Sequence, residues 1–370
     1  MNPFKYGQIV TDVDFCPRLS LETILSEHII SGQNVLIEGE RRTGKSSLII
    51  KTAKEIKNYR ILYIDINQIK TLNDLINRIT NSLVSLDRQT KFFEKLVRVI
   101  SHLRPSVSID SYTGNPSISF NANQVIPPKS VERLLEFIYQ EHSNKKNIVV
   151  FDEFQDILNL NNYESIVAIL RSRIQFHSNM PYIFSGSVRK NMDKIFYDPD
   201  SPFFKSAIKM EIGALEKEIF GDYIKEKFLS GKRMIKSSAL DTIFLKTEEN
   251  PGDVQELCNA LWSITEYNTT INQSNVEDAL KVIFAREKEF YEHTISLLTS
   301  PQLRCLVSIA NLGGKGIQSG EFLESSGILH ASSIKKAATR LIDLKILYNY
   351  KKEYRFNSPF FRSWLLYKKY

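Results

Sequence analysis

Short apolar runs recur through the first 215 residues and alternate with longer amphipathic stretches. The runs are "NVLIEG" (34–39), "RILYIDIN" (60–67), "NIVVF" (147–151), "PYIFSGS" (181–187) and "AIKMEIGAL" (207–215). They read as strands, and the unbroken apolar stretch 148–151 is of the kind buried on both faces of a parallel sheet. "KSSLIIKTAKEIKN" (45–58) carries its apolar positions at helical spacing, and another helix is expected to end near His177. Strands alternating with helices predict a parallel sheet with right-handed crossovers. One stretch breaks this rhythm. "SVSIDSYTGNPSISFNA" (106–122) alternates around Thr113-Gly114-Asn115-Pro116, the pattern of a hairpin, and reads as an insertion over about 104–123.

The pattern changes near the C-terminus. "SPQLRCLVSIANLG" (300–313) has helical spacing, and "SGEFLESSG" (319–327) opens with Ser and closes with Gly, as a short helix does. "HASSIKKAATRLIDLK" (330–345) predicts a third helix with Ile334, Ala338, Leu341 and Leu344 on its apolar face. Ser333, Lys336 and Arg340 lie on the opposite face. Two short strands then flank Lys351-Lys352-Glu353. Three helices and a two-stranded wing make a winged helix, whose third helix and wing can contact nucleic acid. Lys335, Lys336 and Arg340 on the helix, with Lys351 and Lys352 on the wing, are the candidate DNA contacts. Packing against the rest of the chain, or against a protein partner, is the alternative use of such a module.

Chemistry enters at the first strand–helix junction. "GERRTGKS" fits G-x-x-x-x-G-K-[ST] as Gly39, Gly44, Lys45 and Ser46. Backbone N–H groups of such a loop cradle a phosphate chain, and the following helix presents its positive end to the anion. Arg42, Thr43 and Ser47 join these residues as candidate nucleotide contacts. Lys45 supplies charge for the β- and γ-phosphates, and Ser46 is a candidate Mg²⁺ ligand. The strand "NIVVF" ends in Asp152 and Glu153, where open α/β sheets bind ligands. Asp152 is the second candidate for Mg²⁺, and Glu153 the candidate base that orients an attacking water. Ser185 and Ser187, at the end of "YIFSGS", are candidate sensors of the γ-phosphate. Arg171 and Arg173 precede that strand and could stabilise transition-state charge, or could sit in surface ion pairs.

Charge adds a partner. The net charge is +7, but residues 331–370 hold ten Lys/Arg against two acids, leaving the rest of the chain near −1. A basic tail domain on a mildly acidic body favours an anionic partner such as double-stranded DNA. No run reaches about 18 apolar residues, so no membrane helix is expected. The N-terminal stretch lacks the form of a signal peptide, and the three scattered cysteines make neither a metal pattern nor a disulfide framework. A cytoplasmic setting is the expectation. Nothing in the sequence marks a nuclease, protease or transferase site, and oligomeric state is left open.

In these motifs the chain resembles the archaeal ATPase family, part of the STAND branch of AAA+ proteins, which also has bacterial members. "NPFKYGQIVTDVDFCPRLSLETIL" resembles the family's N-terminal block, and "GERRTGKSS", "FDEFQD" and "YIFSGS" match in order. "ENPGDVQELCNALW" (249–262) resembles the G-x-P block of the helical lid, with Glu249 where a glycine is usual. By this resemblance Phe15 and Arg18 contact the base or ribose. The implied architecture is an AAA+-like P-loop domain over 1–215, a helical lid over 216–292 and a winged helix over 293–370. The implied function is Mg²⁺-dependent ATP binding and hydrolysis in a nucleotide-gated regulator. The alternatives are a slow ATP/ADP switch and a DNA-binding regulator in which hydrolysis is secondary.

Overall fold

The computed structural model describes the chain except residues 88, 110–115, 122–123, 144, 188–191 and 351. The chain forms two compact units, Ile9–Gly213 and a second made of Met1–Gln8 with Ala214–Tyr370. The sequence places the first boundary at 215 and assigns residues 1–8 to the ATPase segment, whereas contacts end that unit at Gly213 and group Met1–Gln8 with the other. The segments expected as lid and winged helix share one unit, and the helix Gln273–Ser296 runs through the boundary expected at 292.

The first unit contains the strands β1 (Val35–Gly39), β2 (Tyr59–Asp65), β3 (Ser106–Ile109), β4 (Pro116–Ser119), β5 (Lys146–Asp152), β6 (Tyr182–Ser187) and β7 (Ile208–Ile212). Five of them make a sheet in the order β2-β5-β6-β1-β7, with every pairing parallel. Alternation along each strand splits the core into two layers. Val149, Phe151, Tyr182 and Phe184 face the helices Leu72–Leu86, Lys129–His142 and Tyr163–Ile174. Ile148, Val150, Ile183, Val35 and Ile37 face Leu25 and Ile29 of one helix and Leu48, Ile49 and Ala53 of the helix Lys45–Glu55.

The expected hairpin is present as a separate antiparallel pair, β3 and β4. Its residues Thr113, Gly114 and Asn115 lie outside the described residues. The amide of Asn81, on the helix Leu72–Leu86, pairs with both the N–H and the carbonyl of Ile118 at 3.2 and 3.1 Å. This side chain serves the outer edge of β4 as a neighbouring strand would.

In the second unit, Asn2-Pro3-Phe4 is an anchor. Asn2 Nδ2 donates to Asn259 O at 3.0 Å, and Asn259 Nδ2 donates back to Phe4 O at 2.7 Å. Phe4 is buried, with its ring 4.6 Å from that of Phe228 and 6.1 Å from that of Trp262. Glu249 has φ 61, in the left-handed region. That is why a glycine suits this position, and here the glutamate is held by Lys217 at 2.7 Å. Asn250 caps the helix Pro251–Ile264 by accepting from Gly252 N.

The C-terminal helices are Ser300–Leu312, Gly320–Ser326 and Ala331–Asp343, followed by antiparallel strands Leu347–Tyr350 and Glu353–Phe356 and a closing helix Pro359–Lys368. The closing helix is absent from the sequence reading. It buries Trp364 and Phe361 against Tyr291.

Candidate functional site

The phosphate-loop residues lie between β1 and the helix Lys45–Glu55. Two glycines are required for different reasons. At Gly39 a Cβ would lie 2.2 Å from Ile212 Cγ2 and 2.7 Å from Ile212 O, so β7 leaves no room for a side chain. At Gly44 space is open, but φ is 91. Arg42 also lies in the left-handed region, at φ 65, and is exposed. Lys45 is buried, and its Nζ donates to the carbonyls of Gly39 at 3.2 Å and Glu40 at 2.9 Å. Thr43 Oγ1 closes the turn on Glu40 O at 2.8 Å. Ser47 is buried, and its hydroxyl accepts from Val10 N at 3.1 Å.

Strand order brings the acidic pair to this loop. Asp152 ends β5, and Ser46 Oγ donates to its Oδ2 at 2.6 Å. These two oxygens are hard donors of the kind Mg²⁺ takes alongside phosphate oxygens and water, so the residues fit that ion. Tyr63, on β2 beside β5, donates to the same Oδ2. Burial first, then the Asp152 carboxylate, push the Tyr63 phenol well up, which keeps its hydroxyl a donor. Glu153 follows with φ 53, a conformation that costs a non-glycine residue about 1–2 kcal/mol. Its Oε2 accepts from Gln155 Nε2 at 2.6 Å.

The remaining candidates separate by position. Ser187 is level with Gly39 on the neighbouring strand, whereas Ser185 lies level with Ile37. Ser185 is fully buried, and its Oγ has no hydrogen-bond partner among the described residues. Phe15 is 7% exposed and packs in the core layer with Leu48 and Ile49. Arg18 braces the loop, donating to Thr43 O and Gly213 O, both at 3.0 Å. Burial lowers its pKa to about 10. Arg173 pairs with Glu132. Lys335, Lys336 and Arg340 are exposed on the helix Ala331–Asp343, whose Ile334, Ala337, Ala338 and Leu341 are buried. Lys352 is exposed, and Lys351 lies outside the described residues.

The sequence reading missed three residues beside this site. Tyr63 and Gln155 are two. The third is Glu38, 3% exposed, which binds Lys209 Nζ at 3.0 Å and accepts from Tyr197 OH at 3.1 Å. The hydrogen bond to Glu38 chiefly raises the Lys209 pKa. A carboxylate in the middle of an apolar strand was the available signal for Glu38.

Residues 289–367 match a family model described as "Probable winged helix domain". No curated protein matches the sequence. Among solved structures, the chain is similar to a Walker-type ATPase of Pyrococcus abyssi. The TM-score is 0.67 at 16% identity, over 98% of this chain and 99% of that one. It is also similar to the ORC1 protein of Aeropyrum pernix, solved in complex with DNA. There the TM-score is 0.52 at 11% identity, over 96% of this chain and 93% of that one. The fold is therefore that of a P-loop, AAA+-like ATPase with a C-terminal winged helix. Among the described residues no helix is long and apolar enough to cross a membrane.

Proposed function

We propose that this protein binds and hydrolyses ATP, and that the nucleotide gates the output of its winged-helix unit. The observation that carries this reading is the 2.6 Å contact between Ser46 and Asp152, with Glu153 next in the chain. It joins the phosphate loop after β1 to the acidic end of β5, which lies beyond β6 in the sheet, and these are the two halves that phosphoryl transfer requires. Lys45 gives up its carbonyl partners for the phosphate oxygens, which are the stronger acceptors. Ser46 and Asp152 hold Mg²⁺, which neutralises charge on the phosphates. Glu153 orients the attacking water, and Ser187, at the strand end level with Gly39, senses the γ-phosphate. Arg42, Thr43 and Gly44 line the phosphate path. Arg18 keeps the loop in register, with the ribose or base beyond it.

The test is phosphate release from ATP with magnesium by the full chain. Lys45→Ala abolishes ATP binding measured by calorimetry, and Glu153→Gln keeps binding while lowering turnover by about 10²-fold or more. Wild-type turnover in Glu153→Gln assigns the base elsewhere. If the wild-type chain binds ATP without turnover, the protein is a slow ATP/ADP switch.

The output reading is double-stranded DNA, supported by Lys335, Lys336 and Arg340 projecting opposite the buried face of one helix. The likeness to a protein solved with DNA agrees with it. A protein partner on the same basic face is the competing account. A regulatory role in the STAND manner, in a cytoplasmic setting, is the wider reading.

A further inference from the structure

Gln155 lies two residues past the proposed base and belongs to none of the motifs that define the site. It is 3% exposed. Its Nε2 donates to Glu153 Oε2 at 2.6 Å and to Asp156 Oδ1 at 3.2 Å. Two carboxylates on one nitrogen fix the amide orientation, because an oxygen in that place would face two acceptors. Asp156 is itself held, since its Oδ2 accepts from Gln68 N at 2.6 Å. The other end of the amide points into β6. A Cβ at Gly186 would lie 2.5 Å from Gln155 Oε1 and 3.0 Å from both Cε and Sδ of Met192. That oxygen is buried without a hydrogen-bond partner among the described residues. A buried amide oxygen left unpaired is unfavourable by about 1–3 kcal/mol, so the side chain is kept there by its other contacts.

We propose that Gln155 is a positioning residue for Glu153. Its amide nitrogen clamps the carboxylate to Asp156, and its oxygen packs against β6 at the glycine that precedes Ser187. The base and the strand end that meets the γ-phosphate then share one side chain, and a shift at Gly186-Ser187 is felt at Glu153. Glu153 has the strained backbone of a residue that needs such support, with φ 53 and ψ 41. A structural role alone predicts lost stability on removing the amide. A positioning role predicts lost turnover with ATP binding intact. The inference rests on the hydrolysis reading above.

Two measurements on the full chain test it. The first needs no turnover. With glutamine labelled in ¹⁵N, the Gln155 side-chain amide pair is identified by its disappearance in Gln155→Met. Glu153→Ala, at a half-exposed position, should then move that pair. A pair that stays in place in Glu153→Ala overturns the clamp. In the second, Gln155→Met should lower kcat about 10-fold or more, while the ATP Kd stays within about 2-fold, the pattern of an interaction made in the transition state. An unchanged kcat, or equal losses in kcat and ATP affinity, overturns positioning. Should the wild-type chain show no turnover, the hydrolysis reading fails by itself, and the amide spectrum still decides the clamp.

Discussion

Replacing Gly39 by alanine puts a methyl group 2.7 Å from the Ile212 carbonyl oxygen. The nearer clash, at 2.2 Å with Ile212 Cγ2, can be eased by turning that side chain. The carbonyl cannot turn, because Gly39 and Ile212 are register partners on β1 and β7. Ordinary contact starts at 3.4 Å, so the strand ends must part by about 0.7 Å. Overpacking on this scale costs about 1–3 kcal/mol. For a unit of this size that lowers the melting temperature by roughly 2–12 °C. It also lifts the start of the loop away from the phosphate path, so ATP affinity falls with stability. Gly44 makes the contrast. Its alanine meets no atom within 4 Å, and its loss, about 1–2 kcal/mol, comes from the left-handed backbone alone. Asparagine tolerates that backbone better than alanine but is larger. Gly44→Asn should therefore lose less than Gly44→Ala, and Gly39→Asn more than Gly39→Ala. Scanning calorimetry of the four variants, with ATP titrations, reads both effects. A Gly39→Ala chain that melts and binds ATP as wild type does would refute the close approach of β7.

Three further outcomes are expected. Tyr63→Phe keeps the ring beside β5 and removes one donor to the Asp152 carboxylate, lowering stability in urea by about 1.5–3 kcal/mol. His177 is buried against Tyr139 and bonded to Tyr182 OH, and burial, with Arg173 next, lowers its pKa to about 4. The unfolded chain therefore binds this proton more readily, so the His177 contribution is complete above about pH 6.5 and is lost as pH falls toward 4. His177→Gln should flatten that part of a stability–pH curve. Changing Lys335, Lys336 and Arg340 together to Glu should weaken duplex DNA binding for all sequences and flatten its salt slope, about −0.9 per phosphate contact, while ATP titrates as before. An absence of salt-dependent DNA affinity in the wild-type anisotropy titration would favour a protein partner.

What was legible in the sequence was what is local. Gly39, Gly44, Lys45 and Ser46 lie within one strand–loop–helix junction, and Asp152-Glu153 marks its own strand end, so spacing alone was enough to propose both. Tyr63 acquires its role only because β2 lies beside β5, which brings it to Asp152 across 89 positions, and no local pattern encodes that. Gln155 was hidden differently. Beside two acids in "DEFQD" it reads as one more polar residue, and its burial depends on a missing side chain at Gly186. Phe15, which the resemblance places at the nucleotide, packs in an apolar layer, and a phenylalanine in the sequence suits either place. The first eight residues show the same limit, since adjacency in sequence suggests the unit that follows them and contacts group them with Ala214–Tyr370.

That last feature bears on the timing of synthesis. Phe4 and Asn259 bond to each other across 255 positions. At about 5–20 residues per second, a ribosome adds the later partner roughly 13–50 s after the earlier one. Within that interval the uninterrupted stretch Ile9–Gly213 is completed and can fold, while the aromatic side chain of Phe4 waits without its pocket. The wait exposes Phe4 to chaperones, to proteases and to the pocket of another molecule. A fragment covering 214–370 would carry the complementary vacancy beside Phe228 and Trp262, and the peptide MNPFKYGQ is the piece shaped to fill it.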